Sequence, residues 1–445
     1  MYEKLIIKNG IVVTIDKDFR IIEDGSIVIQ GNRIIAIGET KDIEKEHKGD
    51  TVIDAKGKAV LPGLVNLHYH SHILARGVTD RLLQDLSKER MPIEKFIVDF
   101  YYPLIEAMKP ADVYAGASLG YVEAVKTGTT CLNDIYRHPI ALADAAKDVG
   151  VRAVIASEAA DLIKGETLKD NEKAFLEKHN SANGRIKIWF GVEWVTVCSP
   201  EFLVKARELA NKYKTGIHTH LNESIGEVEG CKKKYGKRPT EHMYDLGVLG
   251  EDCVAAECVW LNDKEIGILK ETGTHVAYCP AYNMKGGNGI ARVPDIISAG
   301  INVGLGTDGF FNSLDMFESM RHGTFVQRAV KLDRSLVPFD QVLKMATING
   351  AKALGMEKEI GSIEPGKKAD LILIDLKSIK FEPLLLGKYS NLIPNLTYAA
   401  NGSDVETVLI DGKIVMENRE MKTVDEEKVI EQARRSALSL LDKVL

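Results

Sequence analysis

Between about residues 60 and 355, short apolar runs alternate with longer stretches of helical periodicity, and this alternation constrains the fold more than any other feature of the chain. The candidate strands are 60–67, 129–133, 152–157, 186–192, 215–220, 253–257, 275–278 and 303–307. Eight strands in succession, separated by helical segments, predict an α/β architecture in which a parallel sheet closes into a (β/α)8 TIM barrel. No Gly-x-Gly-x-x-Gly or Walker-type loop follows any of these strands, so an open doubly wound sheet lacks its usual nucleotide cue. The long segment after the first strand, including Met91-Pro-Ile-Glu-Lys-Phe96, is expected to form a helical insertion that covers the site.

The two ends read differently. Runs such as Lys4-Leu-Ile-Ile and Gly25-Ser-Ile-Val-Ile at one end, and Leu371-Ile-Leu-Ile and Val405-Glu-Thr-Val-Leu-Ile at the other, look like short antiparallel strands. Neither end has enough of them to bury a sheet alone. Residues 1–59 and 356–420 are therefore expected to pair into one small β-sandwich domain built from both termini, around the barrel at 60–355 and before a C-terminal helix at 421–445.

A chain of 445 residues with 45% apolar and 27% charged residues suits a globular protein with a sizeable core. No apolar run reaches membrane-spanning length and the N-terminus lacks a signal-peptide core, so the expectation is a cytoplasmic protein with no membrane partner. The net charge of −6 offers nucleic acid no general attraction, and the basic run Lys232–Arg238 is short and flanked by glutamates. Six cysteines without a Cys-x-x-Cys pair read as reduced thiols of the core.

Polar residues gather at strand ends to a degree that a core does not explain. One strand ends in His68-Tyr-His70, another in His218-Thr-His220 followed by Glu223, and a third in Gly306-Thr-Asp308-Gly309. In a parallel barrel all strand C-termini open on one face, and alternate residues of a strand share a side, so three imidazoles and a carboxylate can meet at one metal ion. Such an ion lowers the pKa of a coordinated water and supplies hydroxide near neutral pH. A helix N-cap is the competing role for Asp308.

Four segments carry a resemblance: Ala59-Val-Leu-Pro-Gly-Leu-Val-Asn-Leu-His-Tyr-His70, Gly216-Ile-His-Thr-His-Leu-Asn-Glu223, Gly304-Leu-Gly-Thr-Asp-Gly309 and Gly361-Ser-Ile-Glu-Pro-Gly-Lys-Lys-Ala-Asp-Leu371. Through them the chain resembles the amidohydrolase superfamily, in its cytosine-deaminase and chlorohydrolase-like branch of amino-heterocycle deaminases. The resemblance implies a single divalent metal, zinc first with iron or manganese as alternatives, held by His68, His70, His220 and Asp308. It also implies Glu223 as proton shuttle, Asp308 as acceptor of a proton from the attacking water, and a homo-oligomer. Two departures stand out, since Glu257 and Glu193 occupy positions where relatives carry histidine. The first disfavours a two-metal site, and Lys187 reads as an edge or surface lysine rather than a bridging ligand.

Glu193, Trp194, Glu257, Asn283 and Phe310 are the expected substrate contacts. Ionised carboxylates only accept hydrogen bonds, so the two glutamates would favour a ring rich in N–H donors. His72 is an entrance candidate, His218 a hydrogen-bonded support, and Tyr69 and Trp260 core or stacking aromatics; Gly286–Gly289 is expected to border the substrate. The predicted function is hydrolytic release of ammonia from a small cyclic amidine or amino-heterocycle, such as a creatinine-like, pyrimidine, purine or triazine ring. Hydrolysis of a cyclic amide or carbon–halogen bond, or a metal-binding protein without activity, are the alternatives.

Overall fold

The computed structural model describes residues 3–71, 74, 76–78, 102–309 and 313–444. His72, Phe310 and the 91–96 segment lie outside these described residues. The chain opens with β1 (Lys4–Val13), β2 (Ile21–Gln30), β3 (Arg33–Glu39), β4 (Thr51–Asp54) and β5 (Lys58–Pro62). The barrel strands follow: β6 (Leu64–Tyr69), β7 (Thr129–Tyr136), β8 (Arg152–Ser157), β9 (Ile186–Ile188), β10 (Phe190–Val192), β11 (Ile217–Leu221), β12 (Cys253–Glu257), β13 (His275–Tyr278) and β14 (Val303–Leu305). The chain returns through β15 (Leu371–Asp375), β16 (Val405–Ile410), β17 (Lys413–Glu417) and β18 (Glu420–Met421), then ends in a helix, Glu426–Val444.

The expected run 60–67 is two strands, not one. Residues up to Pro62 belong to the terminal sheet, where β5 pairs antiparallel with β15, while β6 pairs parallel with β7. The switch falls at Gly63, whose N–H still donates to Asp370 in the terminal sheet at 2.9 Å, whereas Leu64 N–H already donates to Gly128 at 3.0 Å. A Cβ at Gly63 would overlap the side chain of Thr130, so only glycine fits this crossing.

The strands contributed by both ends form one nine-stranded sheet in the order β18-β17-β16-β15-β5-β1-β2-β3, with β4 on β1. Ile7, Val12 and Ile27 from the first half pack with Leu371, Leu373 and Leu409 from the second. Burying each such aliphatic side chain contributes roughly 1.5–3 kcal/mol.

The barrel is drawn as two parallel sheets, β6-β7-β8-β9 and β10-β11-β12-β13-β14, that join on both sides. On one side a single segment serves both: Trp189 N–H donates to Ile155 at 2.8 Å and Phe190 N–H to Gly216 at 3.0 Å. On the other, Thr307 and Asp308 N–H donate to the carbonyl of His68 at 3.2 and 3.1 Å, and Asn66 Nδ2 donates to Thr307 Oγ1 at 2.7 Å. Surrounding helices follow their own sequence logic. In Pro200–Tyr213, Ser199 caps the first turn by accepting from Phe202 N–H, and Leu203, Ala206, Leu209 and Ala210 form the buried stripe.

The terminal sheet meets the barrel around a buried charge. Arg152, the first residue of β8, donates from Nε to Asp370 Oδ2 at 2.7 Å and from Nη2 to Asp370 Oδ1 at 3.0 Å, with Asp411 at 3.4 Å. Among the described residues, no helix is long and apolar enough to cross a membrane.

A candidate metal centre at the mouth of the barrel

His68 lies in β6 and His70 just beyond its last residue, while His220 lies in β11. The structure brings all three rings together: centroid separations are 4.7 Å for His68–His70 and 5.0 Å for both pairs with His220. His70 Nε2 stands 3.0 Å from His220 Nε2, and one nitrogen from each ring lies within 4.8 Å of the other two. Asp308, beyond β14, places Oδ2 3.5 Å from His68 Nε2 and 3.9 Å from His70 Nε2. All four side chains are buried.

Local backbone chemistry fixes these positions. Asp308 has a left-handed φ of 54°, and its Oδ1 accepts from Gly309 N–H at 2.5 Å. A Cβ on Gly309 would overlap the carbonyl oxygen of His70, so the chain can pass there only as glycine. Among the described residues Asp308 caps no helix: Met316–Lys331 is capped by Asp315. His70 Nδ1 faces the carbonyl of Ile135 at 2.6 Å and must donate to it, which makes Nε2 the lone-pair nitrogen of the neutral ring. His218 Nε2 sits 2.9 Å from His68 Nδ1, so it orients a neighbour's ring.

Burial pushes the His68 imidazole down to about 4, and it holds His218 and His220 well below their usual range with the neighbouring rings adding to the effect. For His70, burial acts the same way, yet the Asp308 and Glu158 carboxylates carry it upward. His68 Nε2 has no hydrogen-bond partner among the described residues. Neutral imidazole lone pairs converging beside a carboxylate, away from water, are what a divalent cation requires and what a dry pocket would otherwise disfavour. The donor set fits a divalent metal ion.

Glu223 stands beside this cluster with its carboxyl group held by three donors. Trp194 Nε1 donates to Oε2 at 2.6 Å, while the Tyr282 hydroxyl and Asn288 Nδ2 donate to Oε1 at 2.5 and 3.1 Å. Burial raises its pKa to about 7 against the pull of the Tyr282 hydrogen bond, with the Asp308 charge adding to the rise. Trp260 contributes at one remove, donating to the carbonyl of Asn288 at 2.7 Å. Tyr69 packs into the core against Tyr121.

Of the expected substrate contacts, two glutamates border the cluster: Glu257 has Oε1 3.7 Å from His68 Nε2 and Oε2 accepting from Asn283 Nδ2. Glu193 Oε2 lies 3.6 Å from His220 Nδ1. Burial, followed by the charges of neighbouring carboxylates, holds both glutamates well above the usual carboxylate range. Lys187 faces a different cavity, lined by Trp189, Lys214, His275 and Lys352, and bonds to Asn180.

A model of the amidohydrolase family matches residues 59–415. The chain is 40% identical over 445 residues to a 5-methylthioadenosine/S-adenosylhomocysteine deaminase of Thermoanaerobacter pseudethanolicus, covering 99% of this chain and 100% of that one. The chain belongs to the amidohydrolase family. A 5'-deoxyadenosine deaminase of Methanosarcina acetivorans is 38% identical, with 98% of each chain covered. A crystal structure of an adenosine deaminase from Xanthomonas campestris with bound zinc superposes at a TM-score of 0.91, with 27% identity and 98% of each chain covered. This amidohydrolase is a hydrolase acting on C–N bonds.

The amidohydrolase site also holds groups that sequence reasoning passed over. Glu158, one residue beyond β8, places Oε1 3.7 Å from His70 Nδ1, and Arg137, one residue beyond β7, places Nε 3.8 Å from Glu158 Oε2. Both sit at strand tips, so the signal that exposed the histidines was present for them too. Tyr282 lies in the helix Pro280–Gly286, where nothing in the sequence marks it.

Proposed function

We propose that this chain is a metal-dependent hydrolytic deaminase acting on the amino-substituted ring of a purine nucleoside, with one divalent ion, zinc first and iron or manganese as alternatives, held by His68, His70, His220 and Asp308. The observation that carries the reading is Glu223, a buried carboxyl group aimed by three donors beside a cluster of imidazoles. The names of the relatives support the ring class.

When bound, the ion supplies Lewis acidity, making water a competent nucleophile near neutral pH. Glu223, entering protonated, gives its proton to the ring nitrogen beside the amino-bearing carbon, and this makes that carbon electrophilic. Asp308 takes a proton from the attacking water and passes it to the amino group, so ammonia departs as the carbon–nitrogen bond breaks. Glu223 then takes up the remaining hydroxyl proton. Water and the amine are converted to a ring carbonyl and ammonia, with no net change in protons on the protein. Glu193, Glu257 and Asn283 face the ring and Trp194 bounds it; burial favours the protonated form of both glutamates, so this side of the pocket offers donors as well as acceptors to the nitrogens of a purine ring.

Ammonia release should be measured on 5'-methylthioadenosine, S-adenosylhomocysteine, 5'-deoxyadenosine, cytosine, creatinine and an amino-triazine. The adenine nucleosides are expected to turn over fastest. No ammonia from any of the six would sink the reading, and turnover of the triazine or creatinine alone would sink its ring class. Glu223→Gln is expected to lower kcat by about 10²–10⁴-fold at unchanged metal content; full turnover in that variant would remove Glu223 from the mechanism.

A further inference from the structure

A second group of donors stands beside the first and shares one member with it. His68, Glu257 and Cys279 each offer one atom, and these atoms all lie within 4.8 Å of one another. All three residues are fully buried. Glu257 Oε1 and His68 Nε2, 3.7 Å apart, both lack a hydrogen-bond partner among the described residues. Two ligands of a tetrahedral zinc ion, each at about 2.0–2.1 Å, stand roughly 3.4 Å apart.

The backbone arranges this group deliberately. Cys258 N–H donates to the carbonyl of Ala256 at 3.0 Å around Glu257, whose φ is 74°; this is the strained γ-turn of positive φ, and it aims the carboxylate inward. Asn283 anchors the other carboxylate oxygen. At Gly306 a Cβ would come within 2.8 Å of the Cys279 sulfur and 2.9 Å of the His68 Cβ. The absence of a side chain there lets thiol and imidazole stand side by side.

We propose that His68, Glu257 and Cys279 form a second metal seat, selective for thiophilic divalent cations such as Cd²⁺. Imidazole, carboxylate and thiolate together favour soft and borderline ions over hard ones. Binding forms a metal–sulfur bond and releases the thiol proton to solvent. Because His68 Nε2 has a single lone pair, the seat and the His68, His70, His220 and Asp308 set are mutually exclusive: a soft ion is drawn to the thiol and held off the working position. This inference rests on His68 being a metal ligand, as proposed above.

The test is to exchange the metal of the full-length protein for Cd²⁺ and record metal content, the ultraviolet thiolate-to-metal charge-transfer absorption and the ¹¹³Cd NMR shift. One bound equivalent of cadmium, an absorption band that disappears in Cys279→Ser and a deshielded sulfur-ligated resonance in the wild type are expected. The NMR shift answers the question even where the variant folds poorly. One bound equivalent without sulfur ligation, or a band that persists in Cys279→Ser, overturns the second seat and leaves the first donor set standing. Failure to bind cadmium overturns the second seat, and failure to bind zinc, iron or manganese in the same exchange overturns the first donor set.

Discussion

Glu223 shows how one side chain couples chemistry to stability. Its carboxyl titrates at about 7 in the folded chain, against a reference of 4.5, because burial disfavours the charged form. The folded state therefore holds this proton more tightly than the unfolded state does. The stability associated with the group is complete below about pH 4.5 and is lost as pH rises through 7. Glu223→Gln cannot ionise, so although its NH2 must face one of the three donors and carries a fixed penalty for that, its stability relative to wild type is expected to rise by up to about 3 kcal/mol between pH 5 and pH 8. Urea unfolding of the metal-free protein at the two pH values checks this, and a pH-independent gap would contradict it.

At the scale of elements, Gly63 is the most sensitive junction, since β5 and β6 belong to different sheets and the chain crosses between them in one residue. Gly63→Ala forces a methyl into Thr130 and is expected to cost about 1–3 kcal/mol, read as a fall in the denaturation midpoint. The same junction marks where sequence reading stopped. Periodicity located β8, β12 and β13 with their observed bounds, because each is a short apolar run flanked by turn residues. It merged β5 with β6, since an unbroken apolar pattern carries no sign of which sheet each half joins. The positions of His68, His70, His220 and Asp308 were legible because strand tips of a parallel barrel converge by topology. The grip of Tyr282 on Glu223 was not, because it depends on the path of a loop and helix that no local pattern encodes.

Across the whole molecule, the terminal sheet and the barrel are joined by the Arg152–Asp370 pair, buried and doubly hydrogen-bonded. Asp370→Asn leaves the guanidinium poorly compensated and is expected to destabilise by about 3–5 kcal/mol in chemical denaturation, whereas Arg152→Met combined with Asp370→Leu should recover much of that loss. The cation proposed for the mouth acts at this scale too. Its ligands come from β6, β11 and the end of β14, and β6 and β14 are the first and last staves of the cylinder. Chelation is expected to abolish turnover and to speed amide exchange at Thr307 and Asp308, whose N–H groups meet the His68 carbonyl across that closing seam. An ion gripping His68 and Asp308 together would work as a rivet through the seam, so the atom that performs the chemistry also keeps the cylinder from unrolling at its open end.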